Sequence, residues 1–172
     1  MQSRRSIEPH VVSRVFSTPR ELVWKANTEP ADMMKWFAPA GSNSFVKSMD
    51  LRPGGTCHYC QRAADGTNEM WGLITYEVIT PIDRMMYIQS FSDEVGAVTA
   101  HPLSETWPKY MRCVVIFDDL GNDQTRMTVE WTPHDPSAEE VATFDGARAG
   151  MDQGWKGTFD NLEAYLMAER TV

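Results

Sequence analysis

The sequence predicts an α+β fold in which an antiparallel sheet packs against a long C-terminal helix. Six consecutive segments between residues 43 and 131 have the composition of strands and are joined mostly by short turns, which is the pattern of an antiparallel meander. From Ser137 to about Met167, apolar residues then recur at spacings of three and four. This periodicity indicates one long helix with a single buried face.

The N-terminal part of the chain predicts one strand followed by two short helices. Residues 10–16, HVVSRVF, read as the first strand. In the helix that follows, Thr18 is expected as N-cap, Pro19 as the first helical residue and Glu21 as the partner in a capping box. A second short helix is expected at about residues 30–36, again after a Thr and a Pro.

The six strand segments are separated by sequences that favour turns. The segments are NSFVKSMDL, GTCHYCQRA, EMWGLITYEVI, DRMMYIQSF, KYMRCVVIF and QTRMTVEW. The turns RPGG, ADGT, TPID and LGND mark most of the joins. Residues 92–108 fit neither a strand nor a tight turn, and we expect a long loop there.

Glycines interrupt the predicted C-terminal helix in a regular pattern. Ser137 and Glu140 have the spacing of a capping box at its start. Gly146, Gly150 and Gly154 are four residues apart and form a stripe beside the buried face, although each costs a helix about 1 kcal/mol relative to Ala. We expect another backbone to pack closely along this stripe, with a ligand space as the alternative. Close packing predicts that Gly154→Leu destabilises the protein by more than about 2 kcal/mol.

Length, charge and hydrophobicity exclude several classes of protein. The 172 residues suit one domain, expected over residues 10–168 with flexible termini at 1–9 and 169–172. The net charge of −8 argues against binding to nucleic acid, which needs a basic surface. No apolar run is long enough for a membrane span, and the first residues lack the apolar segment of a signal peptide. We therefore expect a cytoplasmic protein.

No catalytic or metal-binding motif stands out. Cys57 and Cys60 form a CxxC, but they lie in a predicted strand, where their side chains point to opposite faces about 10 Å apart. A third cysteine, Cys113, does not complete a zinc set. The four histidines are scattered, and His58 is expected to point outward. The sequence thus predicts no catalytic residue, metal or cofactor, and it favours binding over catalysis.

Alternation along the strands predicts one apolar face and one polar face. The apolar face would take the residues Cys57, Tyr59, Gln61, Met70, Gly72, Ile74, Tyr76, Val78, Met111, Cys113, Val115, Phe117, Met127, Val129 and Trp131. This face is rich in Met and aromatic residues, with Tyr59, Gln61 and Tyr76 as polar groups. Such a surface suits either a filled core or a pocket that adapts to an apolar ligand.

Several segments resemble a known protein family. They are VFSTPRELVWKANTEPADMMKWFAP, DLRPGGTCHY, DGTNEMWGLITYEVITPIDRMMYIQSFSDE, HPLSETWP, VVIFDDLGNDQTRMTVEW and GMDQGWKGTFDNLEAYL. Together they are similar to the bacterial single-domain members of the family named for the activator of the heat-shock protein 90 ATPase, in the START-like (SRPBCC) superfamily. The resemblance covers residues 10–168 in order.

The resemblance implies a helix-grip fold. In this fold a curved antiparallel sheet of six to seven strands wraps round the long C-terminal helix, and two short helices follow the first strand. The resemblance also implies an apolar cavity between sheet and helix. With the alternation pattern, it predicts these ligand-binding residues: Trp36, Phe37, Tyr59, Gln61, Tyr76, Trp107, Met111, Cys113, Met127, Trp131, Met151 and Trp155.

Three functions are compatible with these observations. The first is a carrier or sensor of a small apolar ligand, with Trp36, Phe37 and Trp107 at the mouth and Met151 and Trp155 in the roof. The second is a polyketide cyclase or hydrolase, which needs a titratable group buried in the cavity. The third is a chaperone-related interaction module, although chaperone activation belongs to longer eukaryotic relatives with an additional N-terminal domain. Edge strands in such sheets often pair, so a homodimer is also left open.

Overall fold

The secondary structure follows the predicted order of elements. The computed structural model describes residues 6–170, and within them it contains eight strands and four helices. The strands are β1 His10–Phe16, β2 Ser42–Met49, β3 Thr56–Ala63, β4 Glu69–Thr80, β5 Arg84–Ser92, β6 Val98–Thr99, β7 Met111–Gly121 and β8 Gln124–Pro133. The helices are α1 Arg20–Thr28, α2 Pro30–Trp36, α3 Ala138–Gly146 and α4 Arg148–Arg170.

The strands form one curved antiparallel sheet, and the predicted helix-grip fold is confirmed. The order across the sheet is β1-β8-β7-β5-β4-β3-β2, and the two-residue β6 pairs with the end of β5. Chain neighbours therefore lie side by side, except that β1 crosses to pair with β8. This leaves β1 and β2 as the two edges of the sheet.

The core lies between the inner face of the sheet and α4. Four α4 side chains enter it at helical spacing: Trp155, Phe159, Leu162 and Leu166. They meet inner-face residues of the sheet, among them Phe117, Met127 and Val129, each exposed by no more than 1 %. The stripe of apolar residues that predicted this helix is therefore the surface that holds it against the strands.

The first and last described residues of the chain are part of the packed structure. Flexible termini were expected at residues 1–9 and 169–172, of which 1–5 and 171–172 lie outside the described part. Ile7 packs against the cluster of Met111, Phe144 and Met151. Arg148 donates hydrogen bonds to the backbone carbonyls of Glu8 and Pro9 at 2.7 and 3.3 Å. Residues 169 and 170 belong to α4.

The expected cap of α1 is wrong. The helix begins at Arg20, and Pro19 is its N-cap without a side-chain hydrogen bond. Thr18 is instead buried, and its carbonyl oxygen accepts a hydrogen bond of 2.7 Å from the Thr125 hydroxyl. The Thr18 carbonyl thus bonds to β8, and the carbonyl of Pro19 accepts from the first turn of the helix, from the Leu22 and Val23 amides.

The predicted single C-terminal helix is divided in two. It begins as expected with a capping box, in which the Ser137 hydroxyl accepts from the Glu140 amide at 3.1 Å and Glu140 accepts from the Ser137 amide at 2.7 Å. The helix breaks at Ala147, with φ −95° and ψ 0°, directly after Gly146. Glycine has a low preference for helix, so a break beside Gly146 costs less stability than a break beside a good helix former.

Replacing Ser137 with alanine should destabilise the protein by about 1 kcal/mol, because it removes the acceptor for an otherwise unpaired N-terminal amide of α3. Urea unfolding at neutral pH measures the change. Ser137→Asp is the matched control, since aspartate can serve as the same acceptor and should retain most of the stability. Equal stability of the wild type and Ser137→Ala would contradict the capping role.

A β-bulge shifts the alternation at the end of β4. The register between β4 and β5 changes between Tyr76 and Val78, so that Ile79 pairs with Met85. Ile79 rather than Val78 packs against the core, and the expected inward position of Val78 is wrong. One additional residue in a strand reverses the facing of all residues after it.

His58 lies on the outer face of the sheet, as alternation predicts, but it is buried rather than exposed to water. Its ring contacts the Trp71 ring with centroids 4.9 Å apart, and Nε2 lies 2.9 Å from the carbonyl oxygen of Asp93. The loop after β5 therefore folds back over the outer face. The CxxC cysteines of the same strand are both free and buried.

Candidate functional site

A cavity of about 230 Å³ opens between α4 and the inner face of the sheet. Side chains from the helix, from β3 to β5 and from β8 contribute to its wall. The lining residues are Phe37, Pro39, Tyr59, Gln61, Met70, Trp71, Gln89, Phe91, Trp131, Met151, Gly154, Trp155 and Thr158. We call this space the first lobe. Its wall is mostly apolar and aromatic, and it contains no carboxylate or ammonium group.

A second lobe of about 200 Å³ adjoins the first, beneath the long loop after β6. Its lining residues are Tyr59, Gln89, Ser90, Phe91, His101, Trp107, Pro108, Met111 and Trp131. Four of these residues line both lobes, namely Tyr59, Gln89, Phe91 and Trp131. We call these four residues the waist. The two lobes therefore meet at side chains from β3, β5 and β8.

Tyr59 crosses a whole strand to reach the waist. It is paired with Gly72 in the register of β3 and β4, and its hydroxyl contacts the side-chain amide of Gln89 on β5, the next strand beyond. A Cβ atom at residue 72 would lie 2.3 Å from both Cζ and Oη of Tyr59. Only glycine leaves room for the ring to lie flat over β4 in this way.

The electrostatic environment of Tyr59 keeps its hydroxyl protonated. Burial raises the pKa of Tyr59, and the hydrogen bond from Gln89 opposes this rise only in part. Gln89 Nε2 is the hydrogen-bond partner of the hydroxyl oxygen among the described residues. The hydroxyl hydrogen is therefore available to a group inside the cavity.

Two tryptophans form the side of the cavity nearest α4. The rings of Trp131 and Trp155 meet edge to face, with centroids 5.4 Å apart. Trp155 also contacts Phe159, at 5.5 Å, and is 9 % exposed. Trp131 Nε1 donates a hydrogen bond of 3.1 Å to Cys113 Sγ, which fixes the orientation of the indole.

The glycine stripe of α4 borders open space, so the expected close packing is wrong. A Cβ atom added at Gly146, Gly150 or Gly154 would meet nothing within 4 Å, and Gly154 lines the first lobe. Gly157 is different, because a Cβ there would lie 3.6 Å from the Cβ of Ala40. The alternative interpretation of the stripe, a ligand space, agrees with the geometry at Gly154, whereas Gly146 and Gly150 line neither lobe.

Eight of the predicted ligand-binding residues line the two lobes. Those in the first lobe are Phe37, Tyr59, Gln61, Trp131, Met151 and Trp155. Trp107 and Met111 line the second lobe. Trp107, expected at the mouth, therefore lines the second lobe, and Met151 and Trp155, expected in the roof, line the first.

Four of the predicted residues lie in the core instead, away from both lobes. Trp36 is 3 % exposed and donates a hydrogen bond of 2.8 Å to the carbonyl of Ala26. Tyr76, Cys113 and Met127 belong to the main core cluster. They are on the predicted face of the sheet, but neighbouring side chains bury them almost completely. Burial accordingly raises the pKa of the Cys113 thiol to about 12.

Other lining residues were not among the predicted site. Gln89 and Phe91 are on β5. The sequence predicts this strand, but the list of apolar-face residues includes none from it. Alternation from Met85 through Tyr87 would have identified both. Thr158 and Gly154 lie one helical turn apart on α4 beside the buried stripe. The role of Gly154 depends on the space next to it, which no local pattern encodes.

The lobes offer little acid-base chemistry. His101 is the one lining residue that titrates near neutral pH, and burial lowers its pKa, which favours the neutral ring. Its Nδ1 accepts a hydrogen bond of 2.9 Å from the Leu103 amide, which places the ring hydrogen on Nε2.

Within residues 6–170, no three His, Cys, Asp or Glu side chains are grouped so as to hold a metal ion. None of the described helices combines the length and apolarity needed to cross a membrane.

Solved structures support the fold at low sequence identity. A protein from Arthrobacter aurescens is 22 % identical with a TM-score of 0.77, over 94 % of this chain and 87 % of that one. Protein Ms6760 from Mycobacterium smegmatis is also 22 % identical, with a TM-score of 0.73 over 91 % and 88 %. The AHSA1 protein from Silicibacter pomeroyi is 15 % identical, with a TM-score of 0.70 over 94 % and 99 %.

Sequence comparison identifies the family. No curated protein matches the chain at a significant level. The model of the family described as "Activator of Hsp90 ATPase homolog 1-like protein" matches residues 17–167, which include every strand from β2 to β8 and nearly all of α4. The chain therefore belongs to the activator of Hsp90 ATPase homolog 1-like family.

Proposed function

We propose that this protein binds a small hydrophobic or lipid-like molecule in the cavity between α4 and the sheet. The observation that carries the proposal is an apolar space of about 230 Å³ with Gly154 open in its wall. Membership of a family with the helix-grip fold is compatible with this role. The ligand would enter with its apolar surface against Phe37, Trp131 and Trp155.

The composition of the cavity wall supports a binding role. Ligand pockets are lined mostly by apolar and aromatic side chains with a few polar groups, and the first lobe has such a lining. Glycine at residue 154 also makes α4 less stable by about 1 kcal/mol than alanine would, although an alanine Cβ there would meet nothing within 4 Å. A ligand that occupies the space would explain why residue 154 is glycine rather than a better helix former.

The wall chemistry favours binding over a cyclase or hydrolase reaction. Such an enzyme needs an acid or base with a partner that tunes its pKa. No carboxylate lines either lobe, and Tyr59 has its pKa raised by burial rather than brought toward neutral pH. The described residues of the cavity therefore provide orientation and apolar contact.

Native mass spectrometry of freshly purified protein tests the proposal. We expect a population heavier than the bare chain by the mass of one small molecule, which disappears when the same sample is denatured. A titration with the neutral fluorescent probe N-phenyl-1-naphthylamine should also saturate at one probe per chain. The bare mass alone, together with no saturable probe binding, would contradict the proposed function.

A further inference from the structure

The waist between the two lobes contains the polar groups best placed to orient a ligand. Most of the wall can contribute only apolar contact, which is non-directional. Tyr59 and Gln89 differ, because they form a hydrogen-bonded pair exposed to both lobes. A ligand that extends from one lobe into the other would pass directly over this pair.

The Tyr59–Gln89 pair has unused hydrogen-bonding capacity. The Tyr59 hydroxyl accepts from Gln89 Nε2, so its own hydrogen is available as a donor. The Gln89 amide has a second hydrogen and a carbonyl oxygen, for which the described residues provide no hydrogen-bonding partner. Gln61, by contrast, already donates to the Phe37 carbonyl at 3.1 Å. A buried donor left without an acceptor costs about 1–3 kcal/mol, so the pair favours a ligand that provides one.

Gly72 determines where this pair lies. The Tyr59 ring rests on the surface left by the missing side chain at residue 72, with three ring or hydroxyl atoms closer than 3.0 Å to where a Cβ would be. Any larger residue would lift the ring off β4 and into the cavity. The ring would then separate from Gln89 and occupy space that belongs to both lobes.

The volumes are compatible with a ligand that uses both lobes. Ligand sites usually enclose about 300–1,000 Å³. The first lobe, at about 230 Å³, and the second, at about 200 Å³, each fall below this range, but together they fall within it. A molecule that fills both has its middle at the waist.

We propose that Gly72 sets the ligand class of this cavity: by seating Tyr59 flat over β4, it presents the Tyr59–Gln89 pair to an apolar ligand that carries a carbonyl or hydroxyl oxygen midway along its length. This inference rests on the proposed function and adds the chemistry of the ligand to it. Gly72 acts through Tyr59 and is a specificity-determining residue without direct contact to the ligand.

A matched pair of rigid probes, fluorene and 9-fluorenone, tests the inference. The two differ in whether the central carbon carries hydrogens or a carbonyl oxygen. Their dissociation constants are obtained by displacement of N-phenyl-1-naphthylamine from the full chain. The measured quantity is the ratio of the two constants, and comparison of this ratio between variants cancels the different hydration of the probes.

We expect Tyr59→Phe to reduce the preference for 9-fluorenone about fivefold, the effect of one hydrogen bond. Gln89→Met is the second variant and should lower the preference in the same direction, so the test does not depend on one variant folding. Gly72→Ala should lower the preference for 9-fluorenone as well, because the displaced Tyr59 ring separates from Gln89. It should also weaken both probes by about tenfold, because the displaced ring takes up space in the cavity. Tyr76→Phe is the control, since Tyr76 is a buried tyrosine of the same sheet that lies away from both lobes.

The outcomes separate this inference from the proposed function. If both probes bind but neither Tyr59→Phe nor Gln89→Met changes their ratio, or if Gly72→Ala leaves the ratio unchanged, the inference is overturned and the binding function stands. An equal change of the ratio in Tyr76→Phe would also overturn it. If no probe binds saturably to the wild type, the proposed function fails and the inference fails with it.

Discussion

Replacing Gly154 with leucine is expected to weaken binding of N-phenyl-1-naphthylamine at least about tenfold without destabilising the protein. Gly154 lines the first lobe, and a side chain there begins in open space, with nothing within 4 Å of the added Cβ. A leucine would therefore extend across the space that the ligand needs. Because leucine is a better helix former than glycine, the free energy of unfolding should remain equal or rise by up to about 1 kcal/mol.

Gly150→Leu is the matched control for this variant. Gly150 lies one turn earlier on α4, has the same open surroundings, and is not among the residues that line either lobe. It should give the same gain in helix preference and leave probe affinity unchanged. Fluorescence titration and urea unfolding of both variants provide the two measurements. Normal probe binding by Gly154→Leu, or its destabilisation by more than about 2 kcal/mol as close packing requires, would contradict the geometry.

Trp155→Ala is expected to lower the free energy of unfolding by about 3 kcal/mol, the lower end of the range for a buried tryptophan. The indole is 9 % exposed and packs against both Trp131 and Phe159. One of its sides borders the first lobe, where there are no packing contacts to lose. The same change enlarges the cavity, so the affinity for the probe should change as well.

Leu162→Ala provides the comparison for Trp155. Leu162 is fully buried on the same face of α4, two turns further along and away from the lobes. Its loss should cost about 2–5 kcal/mol but leave probe affinity unaltered. Urea unfolding and probe titration on both variants are the measurements. If Trp155→Ala lost stability with no effect on binding, Trp155 would be an ordinary core residue rather than part of the cavity wall.

The elements of the fold could be predicted because each depends on a local period. Alternation in β7 and β8 identifies strands, and the spacing of Trp155, Phe159, Leu162 and Leu166 identifies the buried face of α4. The capping box at Ser137 is likewise complete within four residues. Such signals need no knowledge of tertiary contacts.

The departures from prediction come from interactions between distant residues. Thr18 is a residue type that often caps helices, but its carbonyl accepts a hydrogen bond from the Thr125 hydroxyl on β8. The bulge after Tyr76 depends on how β4 pairs with β5, and the contact of Tyr59 with Gly72 depends on the register of β3 with β4. The same limit applies to the site. Inner-face alternation places Tyr76 and Met127 with Tyr59, but only the position of α4 decides which of them are covered.

The tryptophan side chains provide the most direct test of a cavity between α4 and the sheet. In ¹⁵N-labelled protein, each indole N–H gives its own signal in a heteronuclear correlation spectrum, which can be followed during titration with N-phenyl-1-naphthylamine. The signals of Trp131 and Trp155 should shift and saturate at one probe per chain. Trp24, which packs on Phe117, and Trp36, which bonds to Ala26, should not respond. Shifts that never saturate, or that are largest at Trp24 and Trp36, would contradict the assignment of this cavity as the binding site.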